Sequence, residues 1–231
     1  VKRINIYGSI IPSSYSWYYD YFNEDYTSAN NVNKTLTEAN GEDIEVYINS
    51  PGGVIDVGSE IYTSLKAYKG NVKIYIVGQA CSAASVISMA RECYMSPTAL
   101  MMVHCVSTRA GGNHSDMEKT AETLRIADDS LSNAYMLKSG MSKEETLQMM
   151  ELETWLTANQ AKDRGLIDGI MFEQAEPLRL TASDVSLPTE EMMDKVKNMI
   201  NKQTPKLDES AFLIQKIKAQ HKLLSLEGAR I

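Results

Sequence analysis

The feature that most constrains this chain is a repeated unit: a short β-branched run that stops at a turn of small or polar residues and then gives way to a helical pattern. Ile44 to Ile48 alternates apolar and polar residues and runs into Asn49-Ser50-Pro51-Gly52-Gly53, followed by a helical pattern from about Val57 to Lys69. Val72 to Val77 repeats the arrangement and enters Gly78-Gln79-Ala80-Cys81-Ser82, after which a helix to about Arg91 is expected. A third run, Ala99 to Val103, delivers His104. Lys2 to Tyr7 reads as a first strand and Ala29 to Ala39 as the helix after it. Strands alternating with helices predict an α/β domain with mostly parallel pairing.

Farther along, Met117, Ala121, Leu124, Ala127, Leu131, Ala134 and Tyr135 fall on one stripe of a long helix over Met117 to Ser139, which Gly140 ends. Ser142 with Glu145 and Thr157 with Gln160 have the spacing of capping boxes, each opening a short helix. The second of these is expected to close in a left-handed cap at Gly165. From about Glu173 the composition changes, and two amphipathic helical patterns follow, near Thr189 to Asn201 and Asp208 to Leu226. The expected division is an α/β domain over 1–172 and a helical appendage over 173–231. With 231 residues, the chain can bury one sizeable core and still carry that appendage.

Charge excludes some partners. The net formal charge is −7 and there is no long Lys/Arg block, which argues against nucleic acid or an anionic membrane. The aromatic segment "YSWYYDYF" (Tyr15 to Phe22) has no interleaved Lys or Arg, so it reads as an interface or lid and not as a base-stacking platform. The chain's longest apolar stretches are well short of a membrane span, and the opening residues lack the apolar core expected of a secretory signal. Cys81, Cys93 and Cys105 are odd in number with no CxxC pairing, so neither a disulfide framework nor a zinc site is expected. The expectation is a cytoplasmic protein needing neither cofactor nor metal.

Three nucleophile candidates share one stretch, Cys81, Ser82 and Ser85. Ser82 falls where a helix begins, a setting whose outward N–H groups and dipole favour negative charge. The plain alternative is an N-cap, the commoner duty of serine at such a place. His104 follows an apolar strand and so lies at a strand's carboxyl edge, where open α/β sheets place their sites. A histidine there can act as general base to a serine presented one strand earlier. Gly52-Gly53 exposes backbone amides of the kind that hold an oxyanion, although a Pro-Gly turn alone is common.

The segments "INSPGG" (48–53), "VGQACSAASVISMA" (77–90), "MMVH" (101–104) and "ETWLTANQAKDRGLID" (153–168), in this order, resemble the Clp protease proteolytic subunit (ClpP) family over roughly Ile4 to Ile170. Within it, "SAAS" and "ETW" resemble the phage head-maturation (prohead) proteases. The resemblance implies a ClpP/crotonase-like fold, with Ser82 as nucleophile, His104 as base and the amides of Gly53 and Ala83 as the oxyanion hole. It puts the triad acid at Glu153, where the family carries Asp; Asp163 and Asp168 are fallback acids. It also makes Met117 to Ser139 the "handle" helix between stacked rings and Arg109 to Asp116 an adjoining strand that lines the substrate groove. Two further departures are a loop near Arg91 to Pro97 that looks trimmed, and Cys105, where a polar residue is common.

The implied activity is peptide-bond hydrolysis inside a homo-oligomeric ring or stacked rings, with an unfoldase as a further partner. For the phage subgroup the substrates are capsid or scaffold proteins and the compartment is the host cytoplasm or the immature head. Competing readings are a housekeeping-type degradation subunit, a ring component with a degenerate triad, and a crotonase-type enzyme acting on acyl-CoA thioesters.

Overall fold

The computed structural model describes residues 1–173 and 189–203. The chain divides into a unit over Val1–Ala175 and a second over Glu176–Ile231. In chain order the elements are β1 (Lys2–Ile10), α1 (Ser16–Phe22), β2 (Tyr26–Thr27), α2 (Ala29–Ala39), β3 (Ile44–Gly53), α3 (Ile55–Ala67), β4 (Val72–Cys81) and α4 (Ala83–Ser88). Then come β5 (Glu92–Met95), β6 (Leu100–Val103), α5 (His114–Ser139), α6 (Lys143–Glu151), β7 (Thr154–Thr157), α7 (Ala158–Asp163) and β8 (Gly169–Ile170). Helix α8 (Glu190–Gln203) belongs to the second unit.

The period-2 alternation of the apolar runs builds the core directly. Ile4 and Ile6 of β1, Ile44, Val46 and Ile48 of β3, and Ile74 and Ile76 of β4 are buried on one sheet face. Against them α2 lays Val32 and Leu36, α3 lays Val57, Ile61 and Leu65, and α4 is buried along its whole length. Each fully buried aliphatic side chain is worth about 1.5–3 kcal/mol of transfer free energy. The strand order is β2-β1-β3-β4-β5-β8, with every neighbouring pair parallel. Purely parallel sheets are ordinarily covered on both faces. Here the other face carries a stack of half-buried tyrosines, Tyr47 to Tyr75 at 5.2 Å and Tyr75 to Tyr94 at 5.9 Å between ring centroids, with the Arg3 guanidinium 3.9 Å over Tyr47.

Strand β4 forks the sheet. Its first half, Lys73 to Ile76, pairs with β5, whereas Gln79 to Cys81 pair with β6 in parallel register. Between the halves, β4 makes a bulge against β3: Ile48 faces Ile76, but Ser50 faces Ala80. The Asn49 side chain fills that bulge, its Oδ1 accepting the Gln79 N–H at 3.2 Å. Strand β7 then runs antiparallel to β6.

Several sequence expectations need correction. The first strand runs on to Ile10, and "YSWYYDYF" contains helix α1, with Trp17 and Tyr21 more than 70 % exposed. The helix after Ser82 stops at Ser88, and the segment taken for a trimmed loop holds β5, whose burial of Cys93 and Met95 accounts for the strand. Arg109 to Asn113 forms no strand; α5 starts at His114, capped by a reciprocal Asn113–Asp116 box. Both other capping boxes form, at Ser142–Glu145 and Thr157–Gln160, and Gly165 adopts φ +71°. The helical pattern at Thr189 to Asn201 corresponds to α8, and that at Asp208 to Leu226 lies outside the described residues. No helix among the described residues is long and apolar enough to cross a membrane.

One polar clamp holds the far edge of the sheet to α5. Lys138 Nζ pairs with the Asp168 carboxylate and donates to the Arg91 carbonyl at 2.8 Å, while Asp168 Oδ2 accepts the Cys93 N–H at 2.6 Å. Removing the carboxylate leaves a mostly buried ammonium and an unsatisfied strand N–H. Asp168→Ala is therefore expected to lower unfolding free energy by about 1–3 kcal/mol, read as a drop in the urea midpoint at unchanged m-value.

Candidate active site

The site is assembled by register. Gln79, Ala80 and Cys81 of β4 pair with Leu100, Met101 and Met102 of β6, and the Ser82 N–H continues the ladder to the Met102 carbonyl at 3.0 Å. Ser82 and His104 are thus the residues just past the ends of two hydrogen-bonded parallel strands. Their side chains meet: His104 Nε2 lies 2.8 Å from Ser82 Oγ. That distance is within reach of proton transfer from a hydroxyl to an imidazole.

Ser82 has a backbone conformation that β-strands and helices both exclude, φ +55° and ψ −125°. Such a residue costs roughly 1–3 kcal/mol and persists only where the surroundings over-determine it. The strained turn lifts Oγ out of the strand while the chain enters α4. Ala83 is the first residue of that helix, so its N–H has no intrahelical acceptor.

The β3–α3 turn supplies the facing wall. Ser50 is fully buried, and its hydroxyl donates to the Gly8 carbonyl at 2.6 Å and accepts the Gly52 N–H at 3.1 Å, which fixes the entry to Gly52-Gly53. Gly52 has φ +97°, and a Cβ there would stand 2.7 Å from the Ser82 Cβ. Gly53 has φ +154°, and a Cβ there would stand 2.1 Å from the Ile10 carbonyl oxygen. Only glycine fits at either position. Gly53, Ser82, Ala83 and His104 line one small cavity of about 60 Å³, floored by the apolar side chains of Val86, Leu131 and Met150. A wider groove of about 790 Å³ shares Gly53, Ile55, Val106 and Ser107 with it and runs between α1 and α5.

Glu153 is placed differently. The antiparallel register that sets Val103 opposite Thr154 puts Glu153 alongside His104 in chain position. The Met150 carbonyl ties the two segments further, accepting the N–H groups of Cys105 at 3.2 Å and Glu153 at 3.1 Å. Glu153 itself takes φ +46°, is exposed, and its Oε1 accepts from the Trp155 indole at 3.5 Å. No described hydrogen bond joins its carboxylate to His104. Of the fallback acids, Asp168 is engaged in the Lys138 clamp and Asp163 is exposed on α7.

The rival nucleophiles are otherwise occupied. Ser85 is fully buried; its Oγ donates to the Ser82 carbonyl at 2.7 Å and lies 2.8 Å from the Tyr135 hydroxyl. Nothing in a single strand–turn–helix pattern shows that second contact, because Tyr135 is fifty residues away. Cys81 is buried, and burial raises its thiol above the ordinary value despite an opposing backbone hydrogen bond from Met102. Cys105 is pushed up to about 11, by desolvation first and then by the charge and hydrogen bond of Asp128.

Comparison with known proteins gives concordant results. Residues 23–174 match the family model described as Clp protease. The chain is 31% identical over 166 residues to the ATP-dependent Clp protease proteolytic subunit 1 of Streptomyces avermitilis, covering 69% of this chain and 76% of that protein. It is 30% identical over 137 residues to the subunit of the same name from Chlamydia abortus, covering 57% and 71% respectively. A solved structure of a ClpP1 variant from Listeria monocytogenes superposes with a TM-score of 0.61 at 24% identity, covering 73% of this chain and 90% of that one, a likeness of fold.

The raised thiols yield a prediction. Iodoacetamide at neutral pH is expected to leave Cys105 largely unmodified. Alkylation of Cys105, followed by intact-protein mass, should accelerate only as pH rises toward about 11.

Proposed function

Because the chain belongs to the Clp protease family, we propose that it is a serine endopeptidase working through Ser82, His104 and Glu153, with the amides of Gly53 and Ala83 as oxyanion donors. The observation that carries this reading is the 2.8 Å contact between Ser82 Oγ and His104 Nε2 beside a cavity lined by both glycine and alanine amides' residues.

The steps balance with one water. Ser82 Oγ attacks the peptide carbonyl carbon as His104 Nε2 takes the hydroxyl proton. The developing oxyanion is held by the two N–H groups, whose preorganisation is worth about 10²- to 10³-fold per donor. Collapse expels the amine, which leaves with the proton from His104, and the acyl-serine remains. Water, deprotonated by the same nitrogen, then releases the acid and restores Ser82.

Glu153 orients the imidazole in this scheme. Support comes from the β6–β7 register, which sets its backbone beside His104, and from the weakness of its present hydrogen bond, long at 3.5 Å. Rotation about its extra methylene, relative to Asp, exchanges the Trp155 indole for His104 Nδ1. The same exposed carboxylate is what favours the degenerate-triad alternative, so this residue separates the two.

A homo-oligomeric ring fits the apolar groups of α5 at Ile126 and Leu137, which are exposed among the described residues. The relatives named above are proteolytic subunits of ATP-dependent proteases, which supports an unfoldase partner here. The finer reading, maturation of capsid or scaffold proteins in a phage head, rests on "SAAS" at 82–85 and "ETW" at 153–155. The domain over 1–172 would carry the chemistry in the host cytoplasm or immature head, and the appendage over 173–231 would make contacts with the assembly.

A fluorophosphonate is expected to label the wild-type assembly at Ser82 and not Ser82→Ala; an assembled wild type that stays unlabelled overturns the peptidase reading. His104→Ala should lose about 10²- to 10⁴-fold in kcat on a fluorogenic peptide. Glu153→Gln should lose about 10²-fold or more if it is the orienting acid, and wild-type turnover in that variant would move the acid elsewhere.

A further inference from the structure

Three donors converge on the carbonyl oxygen of Ser82: the N–H of Ser85 at 2.9 Å, the N–H of Val86 at 3.2 Å, and the Ser85 hydroxyl at 2.7 Å. The first two are ordinary helix-start bonds. The third is a side-chain bond, and behind it stands the Tyr135 hydroxyl, 2.8 Å from Ser85 Oγ. Ser85 has one hydroxyl proton and directs it at the Ser82 carbonyl, so the Tyr135 hydroxyl is the donor of the second bond. Both residues are buried, Ser85 at 0% and Tyr135 at 1% exposure. Burial raises the Tyr135 phenol well above its ordinary value, which keeps it a proton donor throughout the neutral range.

The Ser82 carbonyl and the Ala83 N–H are two ends of one peptide plane. No cis peptide occurs among the described residues, so the two point in opposite directions. Whatever fixes the carbonyl toward the interior of α4 therefore aims the Ala83 N–H outward, toward the cavity that Ala83 shares with Ser82 and His104. We propose that Tyr135 and Ser85 are positioning residues of the oxyanion hole: the relay Tyr135 → Ser85 → Ser82 carbonyl holds the 82–83 peptide so that its N–H faces the reacting carbonyl. Donors in series polarise one another, so the relay also strengthens the Ala83 N–H as a donor. The position needs such a device because Ser82 sits at φ +55°, a conformation from which the plane can relax by rotation. Ser88 extends the pattern inward, its hydroxyl donating to the Ser85 carbonyl at 2.7 Å and fixing the turn that carries Ser85.

This inference rests on the peptidase reading for its kinetic consequence and on geometry alone for its structural one, so the experiment reads both. Tyr135→Phe removes one oxygen from a buried ring, and Ser85→Ala removes the hydroxyl at nearly constant volume. In each, kcat per titrated active site is expected to fall about tenfold at unchanged KM. Affinity for a peptide aldehyde, whose hemiacetal oxyanion occupies the same donors, should fall in proportion. The double variant should be no worse than Ser85→Ala, because the relay passes through that hydroxyl. In protein labelled with ¹⁵N-alanine, the Ala83 amide cross-peak should move in Tyr135→Phe, whether or not the wild type hydrolyses peptides. If the two variants lose only melting temperature, keeping wild-type kcat per site and aldehyde affinity, the pair is structural and the inference falls. It falls equally if KM alone changes, or if the Ala83 cross-peak stays in place. A wild type inert toward fluorophosphonate whose Ala83 signal moves in Tyr135→Phe would sink the peptidase reading and leave the relay standing.

Discussion

Strand β4 shares its hydrogen bonds between two partners, and the site depends on that division. Residues 73–76 face β5, and residues 79–81 face β6. The β5 pairing ends with Ile76 opposite Met95, and it is the β6 pairing of Gln79 to Cys81 that brings Ser82 next to the strand ending at His104. The switch to β6 needs extra length in β4, which the bulge opposite Asn49 supplies. A polar side chain is required there because a bulge strands backbone groups away from the ladder, and Asn49 Oδ1 accepts the Gln79 N–H. The asparagine of "NSPGG" thus serves β4, while the serine and glycines after it shape the wall facing Ser82.

The cost of the serine's conformation is met locally. Its N–H is bonded to Met102, its carbonyl takes three donors, and its side chain meets His104. Net contributions of about 1 kcal/mol per hydrogen bond are of the size needed to offset a strain of about 1–3 kcal/mol. The strain is therefore stable and confined to one residue. The small residues that crowd the turn, Ala80, Ala83 and Ala84, let β3, β4 and α4 approach closely enough for those bonds to form.

Much of this was legible in the sequence, and physics explains which parts. β-Branched alternation over Ile44 to Ile48 and Val72 to Val77 reports a half-buried strand because side chains alternate faces regardless of partners. Ser82 and His104 stand out in the sequence because one lies in the small-residue turn after such a run and the other directly follows the apolar run Ala99 to Val103. Strand β5 was hidden because four residues are too few to show a period, and what makes them a strand is pairing on both sides, with β4 and β8. A strand over Arg109 to Asp116 rests on resemblance alone; Asn113 instead caps α5, whose first turn takes in His114 to Asp116. Glu153 shows the limit most clearly. Its place beside His104 follows from register, but the direction of its carboxylate follows from a positive φ that no pattern in "LETW" announces.

Helix α5 brings the separate pieces under one constraint. Toward its C-terminal end Ser132, Ala134 and Tyr135 are in the core, while the stripe from Met117 to Ala127 stands only partly covered. From that one helix Asp128 accepts the Val106 N–H at 2.6 Å, just beyond His104; Tyr135 reaches Ser85; and Lys138 closes the β5–β8 edge. A helix moves as a rigid rod over such a span, so these three contacts cannot shift independently. Any force that loads the partly covered half of α5 acts at once on the loop after His104, on the 82–83 peptide, and on the sheet edge behind them. Load on α5 is therefore coupled to the geometry around Ser82 through Tyr135 and Ser85, and to the segment after His104 through Asp128.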